Sequence, residues 1–211
     1  MHISNATKLQ QYWEKSYEST ATPFDSELPD EWIASLEKDH KIKGNILDAG
    51  CGPGRTALYL AGLGYNVLGV DISGNAIERA KRKAIEKGSA AQFQQANIFE
   101  LTGYDDRFGT VVDIGCFHSL YDDNDRAAYA TSLHRACRSG AVIYLRAFST
   151  NNQKDENWTE HSPDLREDQI RVPFSANGWT VKELEEREID LWIYDEMTLQ
   201  VHCWFAEIRR S

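Results

Sequence analysis

A glycine-rich turn at residues 50–54, Gly-Cys-Gly-Pro-Gly, lies between an apolar run and a helical pattern, and it limits the folds open to this chain. The preceding segment 45–49, Asn-Ile-Leu-Asp-Ala, is typical of a buried strand, and residues 55–60 continue as a helix. Glycines allow the backbone to approach a ligand where a side chain would block it. Because ligands of open α/β sheets bind at this edge, the sequence predicts an α/β protein with a ligand at its first strand-to-helix turn.

The alternation of strand and helix continues along the chain. Apolar runs at 66–71, 91–97, 110–116 and 141–148 predict four more strands, with helical patterns between the first four strands and again before the fifth. This order predicts a parallel sheet with helices on both faces. In the helical segment 74–88, a single apolar face is expected to contain Ile77, Ala80, Ala84 and Ile85.

The two ends of the chain depart from this alternation. After Phe148 we expect a polar loop, a short helix at 166–174, and two strands at 179–189 and 198–210 that must be antiparallel if they are neighbours. The aromatic-rich start is expected to form helices over the carboxyl edge of the sheet. We therefore expect a single domain over 1–211, with an N-terminal helical lid at 1–43, a cofactor-binding core at 44–150, and a C-terminal loop, helix and strand pair at 151–211.

Charge and cysteine usage exclude several classes of partner. The formal net charge of −10 disfavours binding to a nucleic acid backbone or to an anionic membrane surface. The four cysteines form no CxxC pair and are too few for a disulfide scaffold, so we expect reduced, mostly buried thiols. The first residues carry no signal-peptide pattern and no apolar run approaches the length of a membrane span, which favours a cytoplasmic protein.

The spacing of the glycine turn separates two cofactor classes. A nicotinamide or flavin fingerprint, GxGxxG, needs a third glycine where Arg55 stands. The pattern here is GxGxG preceded by Asp48, and it resembles motif I of the class I S-adenosylmethionine-dependent methyltransferases. The resemblance covers roughly residues 44–150. It implies a Rossmann-like fold with a seven-stranded, mostly parallel sheet and an antiparallel last strand pair, and it implies S-adenosylmethionine as cofactor, held at Asp48, Gly50, Cys51, Gly52 and Gly54.

Two further strand ends are expected at this cofactor. Asp71 ends the second strand about twenty residues after the first glycine, where a carboxylate can accept hydrogen bonds from both ribose hydroxyls. Its alternative role is to cap the next helix, for which Ser73 is better placed. By resemblance to the methyltransferases, Asn97 at the end of the third strand binds the adenine amino group and Ile98 packs on the ring, with Ile72 beside them.

The loop after the fourth strand is expected to face the methyl group. Cys116, Phe117 and His118 are predicted to line it, and His118 has the ordinary pKa, near 6.5, of a general base at neutral pH. The alternative is a histidine that only packs beneath the loop. Aromatic side chains expected to form a lid over cofactor and acceptor, or else to fill the core, are Tyr12, Trp13, Tyr17, Phe24 and Trp158.

Segments at 12–19, 22–25, 122–149 and 166–184 resemble the small-molecule branch of the methyltransferases, which acts on thiopurines, thiols, halides and heterocycles. The chain lacks the catalytic turns of nucleic acid methyltransferases and the magnesium ligands of catechol-type enzymes. A metal at His134 and Cys137 is disfavoured, since such a pair on a helix is usually packing. We therefore expect methyl transfer to an oxygen, nitrogen or sulfur atom of a small aromatic or thiol acceptor. The alternatives are a nicotinamide-dependent oxidoreductase and a non-catalytic protein that binds the cofactor.

Overall fold

The computed structural model describes residues 4–18, 25, 28–152, 164–194 and 197–211. Phe24 and Trp158, two predicted lid residues, lie outside this part of the chain. The helices are α1 (Asn5–Ser16), α2 (Glu31–Lys38), α3 (Arg55–Gly62), α4 (Gly74–Glu86), α5 (Asp123–Ala136) and α6 (Glu167–Ser175). The strands are β1 (Ile46–Ala49), β2 (Val67–Asp71), β3 (Gln92–Gln95), β4 (Phe108–Ile114), β5 (Cys137–Phe148), β6 (Trp179–Tyr194) and β7 (Met197–Arg210).

The strands form one seven-stranded sheet in the order β3-β2-β1-β4-β5-β7-β6. The first five strands in the chain pair in parallel, while β7 runs antiparallel to both β5 and β6. The order reverses direction at β1, which lies between β2 and β4. In open α/β sheets such a reversal opens a crevice at the carboxyl ends of the strands, where ligands bind. The predicted fold, including the antiparallel last pair, is confirmed.

Alternating side chains of the central strands supply two separate cores. In β1, Leu47 and Ala49 pack in the core beneath α5 and α6, whereas Ile46 packs on the other face with residues of α2, α3 and α4. Neighbouring Val111 and Val112 of β4 divide in the same way. Successive side chains of a strand point to opposite faces of the sheet, so both faces are apolar here. Helices cover both faces, as the strand pattern predicts.

Helix α4 shows one error in the predicted apolar face. Ile77, Ala80 and Ala84 are buried against β2 and β3, but Ile85 is 82% exposed. The helical repeat of 3.6 residues carries Ile85 round to the solvent side, so its assignment to the apolar face was wrong. The helix begins after Ser73, whose hydroxyl oxygen accepts a hydrogen bond from the Ala76 amide at 3.2 Å, as expected of an N-cap.

No helix in the described ranges combines the length and the apolar character that crossing a bilayer requires. The four cysteines are free thiols; Cys51, Cys137 and Cys203 are buried and Cys116 is half-buried.

Candidate active site

A cavity opens at the carboxyl ends of the parallel strands, beneath α1. Residues of six strands, α1 and α3 contribute to its wall. The residues predicted from the sequence that line it are Trp13, Tyr17, Asp48, Gly50, Cys51, Gly52, Asp71, Ile72, Ile98, Cys116 and His118. The segments predicted to meet at one site, far apart in the chain, therefore do so.

The glycine turn leaves no space for a side chain at any of its three glycines. Gly50 and Gly52 have φ values of +67° and +52°, a backbone region that favours glycine. A Cβ atom on Gly52 would lie 2.8 Å from the Tyr17 hydroxyl oxygen, and one on Gly50 would lie 2.5 Å from the Cys116 Cβ. Gly54 differs, because a Cβ there would meet the Phe93 ring at 2.7 Å, so its role in the structure is packing against β3.

Asp71 presents a buried carboxylate at the cavity wall. One of its oxygens accepts a hydrogen bond from the Gly52 amide and the other from the Ser73 amide, each at 2.9 Å. Burial raises the pKa of this carboxyl to about 6, although the two amide hydrogen bonds oppose the shift. The carboxylate thus ties the glycine turn to β2 and retains acceptor capacity for a ligand.

Asp48 is the second carboxyl group of the cavity. Its Oδ2 accepts a hydrogen bond from the Ala57 amide at 3.0 Å, near the start of α3. Burial raises its pKa to about 7, and the nearby charge of Asp113 adds to the shift. Asp48 therefore fixes the helix start behind the glycine turn and titrates near neutral pH.

Helix α1 covers the cavity and is fastened to α4. The Glu14 carboxylate accepts a hydrogen bond from the Ser73 hydroxyl at 2.6 Å, and the Tyr17 carbonyl accepts one from Arg79 at 2.5 Å. The rings of Trp13 and Tyr17 stack with their centroids 5.9 Å apart. Both line the cavity, consistent with the predicted lid. Tyr12 packs edge-on against Trp13 and does not line the cavity.

Asp113, which the sequence did not single out, holds the loop after β4. Its carboxylate accepts hydrogen bonds from the amides of Cys116 at 2.8 Å and Phe117 at 3.0 Å, and from the Tyr129 hydroxyl at 2.5 Å. This arrangement points the Phe117 ring into the core, where it is fully buried against Tyr129 and Phe174. The expected contact of Phe117 with the methyl group is therefore wrong, and Cys116 and His118 face the cavity instead.

His118 is buried beside the end of β5. Its Nδ1 accepts a hydrogen bond from the Phe148 amide at 3.3 Å, and its ring stacks on the Phe148 ring with centroids 4.6 Å apart. Burial and the positive charge of Arg146 lower its pKa to about 3. The imidazole is neutral across the physiological range, which corrects the expectation that it titrates near pH 6.5.

Asn97 uses its side chain locally. The amide oxygen accepts a hydrogen bond from the Phe99 amide at 3.1 Å and caps the short turn Ile98–Glu100. The cavity wall at the end of β3 comes from its neighbours Ala96, Ile98 and Phe99. Asn97 itself does not line the cavity, so its predicted hydrogen bond to adenine stays a prediction.

Two arginines form a charged cluster that sequence reasoning missed. Arg146 on β5 and Arg55 on α3 both line the cavity, and both pair with the buried carboxylate of Asp30, which caps α2. The signal in the sequence was Arg146, a single cation inside an otherwise apolar strand, residues 141–148. Its partner Asp30 lies far away in the chain, so no local pattern connects them.

Comparisons with known proteins identify the family. The family described as a methyltransferase domain matches residues 46–140. An uncharacterized methyltransferase of Schizosaccharomyces pombe is 44% identical over 122 residues, which are 57% of this chain and 83% of that protein. The chain belongs to the class I S-adenosylmethionine-dependent methyltransferases. S-adenosylmethionine is its cofactor, and the nicotinamide alternative does not apply.

Two more relatives cover most of the methyltransferase. A 2-heptyl-1-hydroxyquinolin-4(1H)-one methyltransferase of Mycobacteroides abscessus is 35% identical over 187 residues, 83% of this chain and 79% of that protein. A solved structure described as "Conversion of a Disulfide Bond into a Thioacetal Group during Echinomycin Biosynthesis" superposes with a TM-score of 0.85 at 33% identity, covering 96% of this chain and 92% of that chain.

The residues at the cavity fit this cofactor. Because Gly50 and Gly52 carry no side chains, the backbone there can approach the methionine part of the cofactor. The buried carboxylate of Asp71 matches the paired hydroxyls of a ribose, which need hydrogen-bond acceptors. Within the described residues, no group of three or more His, Cys, Asp or Glu side chains is arranged to hold a metal ion.

Proposed function

We propose that the methyltransferase transfers a methyl group to an oxygen, nitrogen or sulfur atom of a small acceptor, aromatic, heterocyclic or thiol in nature. The observation that supports this most is the end of the cavity beyond the glycine turn. It is lined by His118, Ala147, Phe148, Leu191 and Cys203, a mainly apolar wall with one aromatic face. Such a wall suits a flat organic molecule better than a polymer.

The cover over the cavity also favours a small acceptor. Leu9 and Trp13 of helix α1 and Tyr17, directly after it, line the cavity, and Glu14 anchors α1 to the start of α4. A lid of this kind excludes water and positions two reactants, which is the main way in which a protein lowers the barrier to a displacement reaction. The net charge of −10 favours a small acceptor over a nucleic acid.

Each side chain then has a role in binding. When bound, S-adenosylmethionine supplies an electrophilic methyl carbon on a positively charged sulfur. Asp71 holds the ribose, Gly50 and Gly52 admit the methionine part, and Cys116 lies at the wall beside them. His118 and Phe148 present stacked rings at the acceptor side.

Two relatives guide the choice of acceptors. The name of the M. abscessus relative specifies an alkylated hydroxyquinolone, and the description of the solved structure specifies sulfur chemistry. An acceptor panel should therefore contain N-hydroxy heterocycles, phenols and thiols, with formation of S-adenosylhomocysteine as the measurement. We expect turnover with at least one class. Cofactor binding without turnover of any member would favour the non-catalytic alternative.

A further inference from the structure

A cluster of two arginines and one carboxylate, Arg55, Arg146 and Asp30, lies at the wall of the cavity and carries one more positive than negative charge. Asp30 Oδ2 lies 2.5 Å from Arg146 Nη1 and 3.4 Å from Arg55 Nη2. The side chains of Arg146 and Arg55 are only 14% and 23% exposed, and that of Asp30 is 3% exposed. Two largely buried guanidinium groups thus share one carboxylate, and both arginines line the cavity.

Other titratable groups lie near these two arginines and near the neighbouring Cys203. His118 is neutral, and burial raises the pKa of the Cys203 thiol to about 12, so the thiol also stays neutral. The charge of Asp48 favours the protonated form of Arg55, but the Asp48 carboxyl group is only partly ionised near pH 7. The carboxylates of Asp164 and Glu186 are close enough to Cys203 to raise the pKa of its thiol. Glu186 also accepts hydrogen bonds from Ser149 and Asn151.

We infer that the acceptor binds as an anion, with its ionised atom or a conjugated oxygen paired with Arg146 and its ring close to Phe148. This inference rests on the proposed function. The proton leaves the acceptor in solution, so no side chain has to remove it. The anionic atom donates its electron pair to the methyl carbon, the electrons of the broken carbon–sulfur bond stay on sulfur, and no proton moves during transfer.

Physical chemistry favours this over a neutral acceptor. A cation buried without full pairing is costly, and an incoming anion relieves that cost for Arg146. Hydrogen bonds between a guanidinium group and an anionic oxygen are about twice as strong as those between neutral groups. Asp30 competes with the acceptor for Arg146, so the carboxylate sets how strongly an anion is attracted.

The test measures the ionisation state of a bound acceptor directly. Three probes change their absorption spectra on ionisation: 4-nitrophenol, 4-nitrothiophenol and 2-heptyl-1-hydroxyquinolin-4(1H)-one. Each is titrated with the full-length protein and S-adenosylhomocysteine over a range of pH, so that no methyl transfer occurs. We expect the pKa of a bound probe to lie at least about one unit below its value in solution, which corresponds to tenfold tighter binding of the anion.

Variants with opposite expected effects separate this role from a merely structural one. Arg146→Gln should weaken anion binding about tenfold or more and remove the pKa shift of the probe, and Arg146→Lys should restore part of it. Asp30→Asn, which can still cap α2, should lower the pKa of the probe further. Arg171→Gln, which changes an exposed arginine on α6, serves as the control and should leave the shift intact.

Each outcome bears on a different claim. A bound probe whose pKa is unchanged or raised, in a protein that methylates it, overturns the inference and leaves the proposed function standing. Equal methylation of panel members that cannot ionise overturns it as well. If S-adenosylhomocysteine binds but no panel member is methylated, the proposed function itself fails.

Discussion

The affinity of the methyltransferase for S-adenosylmethionine should fall about tenfold between pH 7 and pH 5, because Asp71 takes up a proton in this range. Burial raises the pKa of its carboxyl to about 6. With that pKa, the ionised fraction falls from about nine-tenths at pH 7 to about one-tenth at pH 5. If the ribose hydroxyls donate to the ionised form, as proposed, the loss amounts to about 1.4 kcal/mol of binding free energy.

Calorimetry between pH 5 and pH 7 on the wild type and on Asp71→Asn measures this effect. Higher pH is avoided because the α-amino group of the cofactor begins to titrate there. The asparagine keeps one acceptor oxygen for the Gly52 or Ser73 amide, which limits damage to the fold. We expect the variant to bind about tenfold or more weakly at pH 7 and to show no pH dependence.

A neighbouring carboxyl serves as the control. The Asp48 carboxyl group also titrates near neutral pH. In Asp48→Asn this group no longer titrates, and the fall in cofactor affinity with pH that is due to Asp71 should remain. Affinity that is flat with pH in the wild type would refute the reasoning, as would the same slope in Asp71→Asn.

Four further outcomes are expected. The protein without cofactor should lose several kcal/mol of stability in urea titrations as the pH rises from about 4 to 7, because the folded-state pKa values of Asp48, Asp71 and Asp113 exceed the unfolded value near 3.9 and the folded protein then holds more protons. Phe117→Ala should cost about 3–5 kcal/mol of unfolding free energy, with little change in cofactor affinity measured by calorimetry. Turnover from pH 5.5 to 9 should show no titration of His118, so a limb near pH 6.5 that disappears in His118→Ala would contradict the lowered pKa. Deletion of α1 with the residues before it should leave a folded core, seen by circular dichroism, and abolish turnover.

The fold was predictable because its signals are local. The glycine turn, the buried strand before it and the helix after it lie within residues 45–60, and each is determined by neighbours in the chain. The same holds for Ser73, whose cap on α4 follows from its place ahead of the helix. The crevice at β1 then follows from the strand order of such folds, which is why most of the predicted cofactor residues meet at the cavity.

The charge state of the site could not be predicted in this way. The ordinary pKa of histidine indicated a base at His118, but burial and the approach of Arg146 from another strand decide its actual state. Asp30, Arg55 and Arg146 come from three separate segments and meet only in the folded chain. Phe117 illustrates the same limit on a smaller scale. The hydrogen bonds that the loop amides donate to the Asp113 carboxylate, and not the sequence pattern, decide which side chain of the loop faces the cavity.

Asp71 and Arg146 are cavity-lining groups of opposite charge, and they match the charges of the two proposed reactants. In the proposed arrangement, Asp71 lies beside the cationic cofactor and Arg146 lies beside the acceptor. With the inferred anionic acceptor, each reactant enters beside a group of opposite sign, so attraction favours the arrangement in which the nucleophile faces the methyl group. The methyl transfer neutralises both reactants. The methylated acceptor then has no charge to offer Arg146, which returns to Asp30 as its ion-pair partner, and the same electrostatics that bind the acceptor anion weaken the hold on the product.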